Sequence, residues 1–141
     1  MKVLMWGIVI VVVLIAAGDA YVRRAPIDPA RYAVDGLSKP PGDYPETGGF
    51  QGARKPSDPA ASMSALDRII RATARTQQVA GSVAAGHASY VTRSSFWGFP
   101  DVTNVWISGD TLQIRGHLVF GSSDLGVNAK RIKGWLDEAG L

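Results

Sequence analysis

The sequence holds no cysteine, only two histidines, and no run of five or six like charges. The first absence excludes disulfides, thiolate metal sites and a cysteine nucleophile. His87 and His117 are too few and too separate in sequence to argue for a metal centre. Equally missing are the Gly-x-Ser-x-Gly elbow, the phosphate loop, His-Glu-x-x-His and the dinucleotide fingerprint. Fifteen basic residues against twelve acidic ones give a formal charge of +3, and the two signs are interspersed. A nucleic-acid footprint needs a concentrated basic stripe, so no nucleic-acid partner is expected. No cofactor or metal is expected either. A weak attraction to anionic lipid headgroups fits the small positive excess.

What is present begins with an apolar run. Val3 to Ala17 contains no charged residue; Gly18 and Asp19 interrupt it, and Ala20, Tyr21 and Val22 come next, before Arg23 and Arg24. A spanning helix needs about 20 apolar residues. The rival reading is a cleaved signal peptide, with Lys2 as its basic start and Gly18 and Ala20 as its small pair. Trp6 and Tyr21 stand near the two ends of the run, where interfacial aromatics belong, with Arg23 and Arg24 just outside. This favours a retained anchor over residues 1–24. Lys2 on one side and Arg23 and Arg24 on the other leave the positive-inside rule nearly balanced. A very short N-terminal tail is common in signal anchors that export the chain on their C-terminal side. The expectation is a single-pass protein of the inner (cytoplasmic) membrane with a periplasmic globular domain, its first partner being the lipid bilayer.

Of the eight prolines, all but Pro100 lie between Ala25 and Ala61, with five glycines among them. Proline removes a backbone donor and keeps the residue before it out of the helical region. Residues 25–61 therefore read as an extended linker or wrap. Tyr32, Val34, Leu37, Tyr44 and Phe50 favour the wrap. Residues 62–141 read as the globular domain. Asp58-Pro59 forms an N-cap followed by proline at the first helical position, with Ser64 and Asp67 as a weaker capping box. Met63, Leu66, Ile70 and Ala74 recur at helical spacing. Period two then predicts strands at 78–83, 88–94, 102–108 and 111–120, the last pair joined by Gly109-Asp110. Leu112, Ile114, Gly116, Leu118 and Phe120 share one face of the final strand; Gln113, Arg115 and His117 share a wetter one. Ile132, Trp135, Leu136 and Ala139 make the stripe of a last helix with Asn128 as its N-cap and Asp124 as the acid near its basic first turns. The sum is an α+β domain, an antiparallel sheet of about four strands packed by two helices.

Several stretches carry a resemblance. They are Ala80-Gly81-Ser82-Val83, Tyr90-Val91-Thr92-Arg93-Ser94, Trp97-Gly98-Phe99-Pro100-Asp101 and Ser123-Asp124-Leu125-Gly126-Val127-Asn128, ending with Arg131 and Trp135-Leu136. In order and spacing they resemble domain-of-unknown-function family 1499, over roughly Asp28 to Leu136. The resemblance implies bacterial and plastid proteins, often membrane-anchored, with no agreed activity. Family members often carry more arginine around the positions of His117, Leu118 and Ser122, which implies weaker binding here if that cluster holds a ligand.

Two stretches could carry function. The loop Ser94 to Asp101 packs Phe96, Trp97 and Phe99 into a short span. It reads either as a plug for the small core or as an exposed patch for a partner or a bilayer surface. Ser122 to Asn128 reads as capping, or else as an anion site of Ser123, Asp124, Asn128 and Arg131 at a helix start. An ion pair between Arg93 and Asp101 is expected to hold the aromatic loop. A ligand or lipid site on the wetter face would use Arg93, Arg115 and His117. A hydrolytic set of Ser94 or Ser95 with His117 and Asp101 is not demanded by any spacing. These residues are read as a non-catalytic, membrane-tethered interaction domain, an accessory or assembly subunit of a membrane-protein complex. A ligand- or lipid-binding module and a hydrolase are the alternatives.

Overall fold

The computed structural model describes residues 2–141; Met1, the first residue of the expected anchor, lies outside the described residues. The apolar run forms α1 (Lys2–Arg24), and none of its residues is buried. It is long and apolar enough to cross a membrane, with a mean hydropathy of 2.5. That suits a single-pass anchor or a signal sequence. A single turn, α2 (Pro29–Tyr32), comes next, capped by the Asp28 carboxylate.

The sheet has six strands, not four. β1 (Gly42–Glu46) and β2 (Gly49–Arg54) come from the proline- and glycine-rich stretch. They join β3 (Thr76–Ser82), β4 (His87–Arg93), β5 (Pro100–Ser108) and β6 (Thr111–Leu118) in the order β1-β2-β6-β5-β4-β3. Every neighbouring pair is antiparallel. Pro45 is tolerated because β1 is an edge strand. β2, by contrast, lies inside the sheet, and its glycines fit close approaches. A Cβ on Gly49 would come within 2.6 Å of the Gly116 carbonyl oxygen.

Two helices cover one face. α3 (Pro59–Ala72) starts at Asp58, whose carboxylate accepts the Ala61 N–H at 2.9 Å. It buries Met63, Leu66 and Ile70, and stops before Ala74. The Ser64–Asp67 capping box does not form. Ser64 donates to the Ala60 carbonyl, and Asp67 accepts the Tyr90 hydroxyl at 2.7 Å. Burial first, and then that bond, push the Tyr90 hydroxyl pKa well up. α4 (Val127–Glu138) buries Ile132, Trp135 and Leu136 against Phe50, Ile114 and the buried face of α3. Asn128 is not its cap. Gly126 holds the N-cap position, and the Asp124 carboxylate two residues before it accepts the Asn128 N–H at 2.8 Å and the Gly126 N–H at 3.1 Å.

The other sheet face is covered by Tyr32, the last residue of α2, and the chain from there to β1, together here called the strap. Its backbone cannot join a ladder, so it bonds to side chains that project from the sheet. Asn104 donates to the Tyr32 carbonyl, Gln51 to that of Leu37, and Gln113 to that of Lys39; Gln113 also accepts the Lys39 N–H. Trp106 donates to the Ser38 hydroxyl. The face expected to be wet is thus polar but mostly buried: Gln51, Ser89, Asn104 and Gln113 are each 1% exposed or less.

Candidate functional site

The C-terminal end of α1 meets one end of the sheet. An α-helix leaves its last four carbonyls without intrahelical partners. Arg93, at the end of β4, fills part of that need. Its guanidinium donates to the carbonyls of Val22 at 2.9 Å, Ala25 at 2.8 Å and Gly98 at 3.2 Å. It does not pair with Asp101 as expected. The Asp101 carboxylate, on the opposite sheet face, accepts from Arg131 at 3.1 Å. Burial pushes the Asp101 pKa up more than Arg131 pulls it down.

The aromatic loop folds back beside α1. Ser94 N–H donates to the Phe99 carbonyl at 2.9 Å, and Phe99 N–H to the Ser94 hydroxyl at 3.0 Å. Phe96 and Trp97 stack edge to face at 4.8 Å, next to Val12, Ile15 and Ala16 of α1. Arg23 donates to the Phe96 carbonyl and pairs with Asp19 at 2.7 Å. Gly98, with φ of +69°, leaves room for that arginine; a Cβ there would sit 2.5 Å from Arg23 Cγ. The loop is not a plug. Phe96 is 72% exposed, Trp97 46% and Phe99 40%.

A second loop reaches the same end, because β6 runs antiparallel to β5 and ends beside its start. Phe99, Leu118, Phe120, Leu125 and Val127 line an apolar groove of about 440 Å³. Leu125 is 93% exposed and has φ of +52°, a left-handed conformation uncommon for a bulky side chain. Ser123 accepts the Leu125 N–H at 3.3 Å. Backbone N–H groups of Asn128 and Gly126 outweigh burial and hold the Asp124 pKa below its usual value. These polar groups build the turn and the cap.

The expected ligand residues separate into three places. Arg93 stands at the foot of α1. Arg115 and His117 lie beneath the strap, Arg115 on Glu46 at 2.8 Å, and the His117 ring 6.2 Å from that of Tyr32. Ser123, Asp124, Asn128 and Arg131 gather at the start of α4 on the helix-covered face. There Asn128 Oδ1 lies 2.8 Å from where a Cβ on Gly116 would stand, while Asn128 Nδ2 has no partner among the described residues. His117 and Asp101 project from opposite faces of the sheet, so the imagined hydrolytic set is not assembled.

One arrangement escaped sequence reasoning. A cleft of about 750 Å³ at the foot of α1 is lined by Arg23, Arg24, Arg75 and Arg93, with Ile27, Val79 and Val91 among its apolar residues. Arg75 reaches it only because β3 flanks β4.

The model for a protein of unknown function (DUF1499) matches residues 23–138. The chain belongs to the DUF1499 family. None of the curated proteins matches it. The DUF1499 match starts in the last turn of α1. It therefore takes in the strap, both loops and every candidate residue except Trp6 and Tyr21. The sheet and helices that hold these residues are the DUF1499 domain of this chain.

Proposed function

We propose that this chain is a non-catalytic, membrane-tethered docking domain, an accessory or assembly subunit of an integral-membrane complex. In this reading α1 is a retained single-pass anchor in the cytoplasmic membrane, and the DUF1499 domain lies on the periplasmic side. One observation carries the proposal: Phe96, Trp97 and Phe99 are exposed together at the end of the domain from which α1 leaves. Exposed aromatics in one patch are the usual anchors of an interface. Placed beside an anchor, they meet a membrane partner at high effective concentration, so a small patch suffices. Retention of α1 is supported by a separate groove between α1 and the aromatic loop, with Phe96 and Trp97 on one side and a far wall of Val12, Ile15 and Ala16. Cleavage after Ala20 would strip that wall from Phe96 and Trp97.

The test is purification of the tagged full-length chain from its native membrane in a gentle detergent. A stoichiometric integral-membrane partner is expected, and it is expected to be lost when Phe96, Trp97 and Phe99 are all replaced by serine. A chain that purifies alone, or a partner that survives the triple substitution, overturns the reading. A second reading, a lipid-binding module, draws on the arginine-lined cleft rather than on the strap-covered face.

A further inference from the structure

The cleft at the foot of α1 has an unusual charge balance. Arg23, Arg24, Arg75 and Arg93 line it, and no aspartate or glutamate does. Two of the four are already committed. Arg93 is spent on three carbonyls, and Arg23 on Asp19 and the Phe96 carbonyl. The other two keep capacity. Among the described residues Arg24 makes no side-chain hydrogen bond or ion pair, and Arg75 bonds through Nε alone, to the Arg93 carbonyl at 3.1 Å. The Arg93 N–H returns a bond to the Arg75 carbonyl at 3.0 Å. This reciprocal pair holds Arg75 at φ of +58°, a conformation that a residue with a side chain seldom adopts. The guanidinium is thereby fixed at one nitrogen and open at the other two.

We propose that this cleft binds the phosphate of an anionic phospholipid in the leaflet next to the domain. Arg24 and Arg75 are the two forks on its oxygens. The inference rests on α1 being a retained anchor, the reading given above. Guanidinium groups recognise phosphate by paired N–H donors in a fixed plane. Their height is right: Arg24 is the last residue of α1, where a spanning helix leaves the hydrocarbon and enters the headgroup layer. The remaining wall decides between a lipid and a free phosphate ion. Ile27, Val79 and Val91 give the cleft an apolar side, which suits the glycerol and first acyl carbons of a lipid and offers nothing to an inorganic ion. Arg93 acts here as a positioning residue, because its guanidinium joins α1 to the sheet and so sets the cleft's shape.

The experiment uses the full-length chain in nanodiscs of phosphatidylcholine with a minority of phosphatidylglycerol, read by native mass spectrometry. One phosphatidylglycerol is expected to stay bound in preference to phosphatidylcholine. At roughly fivefold for each arginine near a membrane surface, Arg24→Gln with Arg75→Gln lowers that retention roughly twenty-five-fold. A control pair with the same loss of charge, Arg68→Gln with Lys130→Gln, lies outside the cleft and leaves retention unchanged. Equal retention of both lipids overturns the proposal. So does an equal loss in the control pair, which would mean diffuse attraction, or displacement of the lipid by excess inorganic phosphate. Thermal melts of both pairs check that the domain stays folded. Carbonate extraction of the source membranes separates the two readings. A chain washed off the membrane removes the anchor and this site together. A chain that stays but shows no anionic preference removes the lipid site alone.

Discussion

His117 sits on β6 beneath the strap, half-buried, its Nδ1 within 3.2 Å of the Leu118 carbonyl. Burial lowers its pKa below the usual 6.5; Arg115 adds to the effect, while the Leu118 carbonyl, Glu46 and Asp101 oppose it. A depressed histidine binds fewer protons folded than unfolded. It therefore contributes stability above its unfolded pKa, and that stability is lost as pH falls through the folded value. Asp101 has the opposite sign. Its carboxyl is raised by burial, so its contribution weakens as pH climbs from 3.8 towards the raised value. Asp43, Glu46 and Asp124 are lowered by their partners in spite of burial, and their contributions fail only below the ordinary carboxylate range. Replacing His117 with glutamine isolates the histidine term. Comparison of thermal melts between about pH 7 and about pH 5, the histidine range, should show a flatter profile for the variant than for the parent. Parallel profiles would mean that strap burial does not reach the imidazole.

At the level of elements, Arg93 is the join between α1 and the sheet. Its hydrogen bonds to the carbonyls of Val22, Ala25 and Gly98 are charge-assisted, each worth about 1.5–3 kcal/mol. Lysine carries the charge but not the planar fork, so it cannot hold three carbonyls in this geometry. Arg93→Lys should loosen the segment between α1 and β1. Loss of even one such bond, about 1.5 kcal/mol, speeds local opening roughly tenfold. Limited trypsin digestion of the full-length protein in detergent measures this as faster cleavage after Arg24 and Arg31. An unchanged rate would show that the strap alone holds the join. The sequence pattern exposed α3, α4 and the strands from β3 to β6, because each keeps its period over most of its length, β3 with a shift of register between Gln78 and Ala80. It hid β1 and β2. Pro45 survives there only because its strand is an edge, Gly49 is required by the Gly116 carbonyl, and Gly52 leaves close-fitting space for Leu136. Local rules count such residues as strand breakers; the demand for them comes from the third dimension. The site shows the same division. Exposed aromatics were legible in the loop as one of two readings, whereas the partners of Arg93 and the placing of Arg75 depend on strands meeting across the sheet.

For the whole molecule, the consequence is that the folding unit starts well before residue 62, where the regular patterns begin. Phe50 of β2 is fully buried in the core with Ile114, Ile132 and Leu136. Lys133 of α4 lies over its ring at 5.3 Å and pairs with Asp43 of β1 at 3.2 Å. A chain of residues 62–141 loses that core residue, the unit's Asp58 cap and the partner strand of β6. It also strips the strap from Asn104 and Gln113, leaving their amides without the Tyr32 and Lys39 carbonyls. Emptying one buried phenylalanine site alone costs about 3–5 kcal/mol, which is much of the stability a small domain possesses. Residues 25–141, in contrast, keep every strand, both covering helices and the strap. Circular dichroism melts of the two chains should give one cooperative transition for 25–141 and none for 62–141. If 62–141 melts cooperatively near the same temperature, β1, β2 and the strap are additions to a domain that is complete without them. The six-stranded sheet would then be two parts in contact rather than one unit.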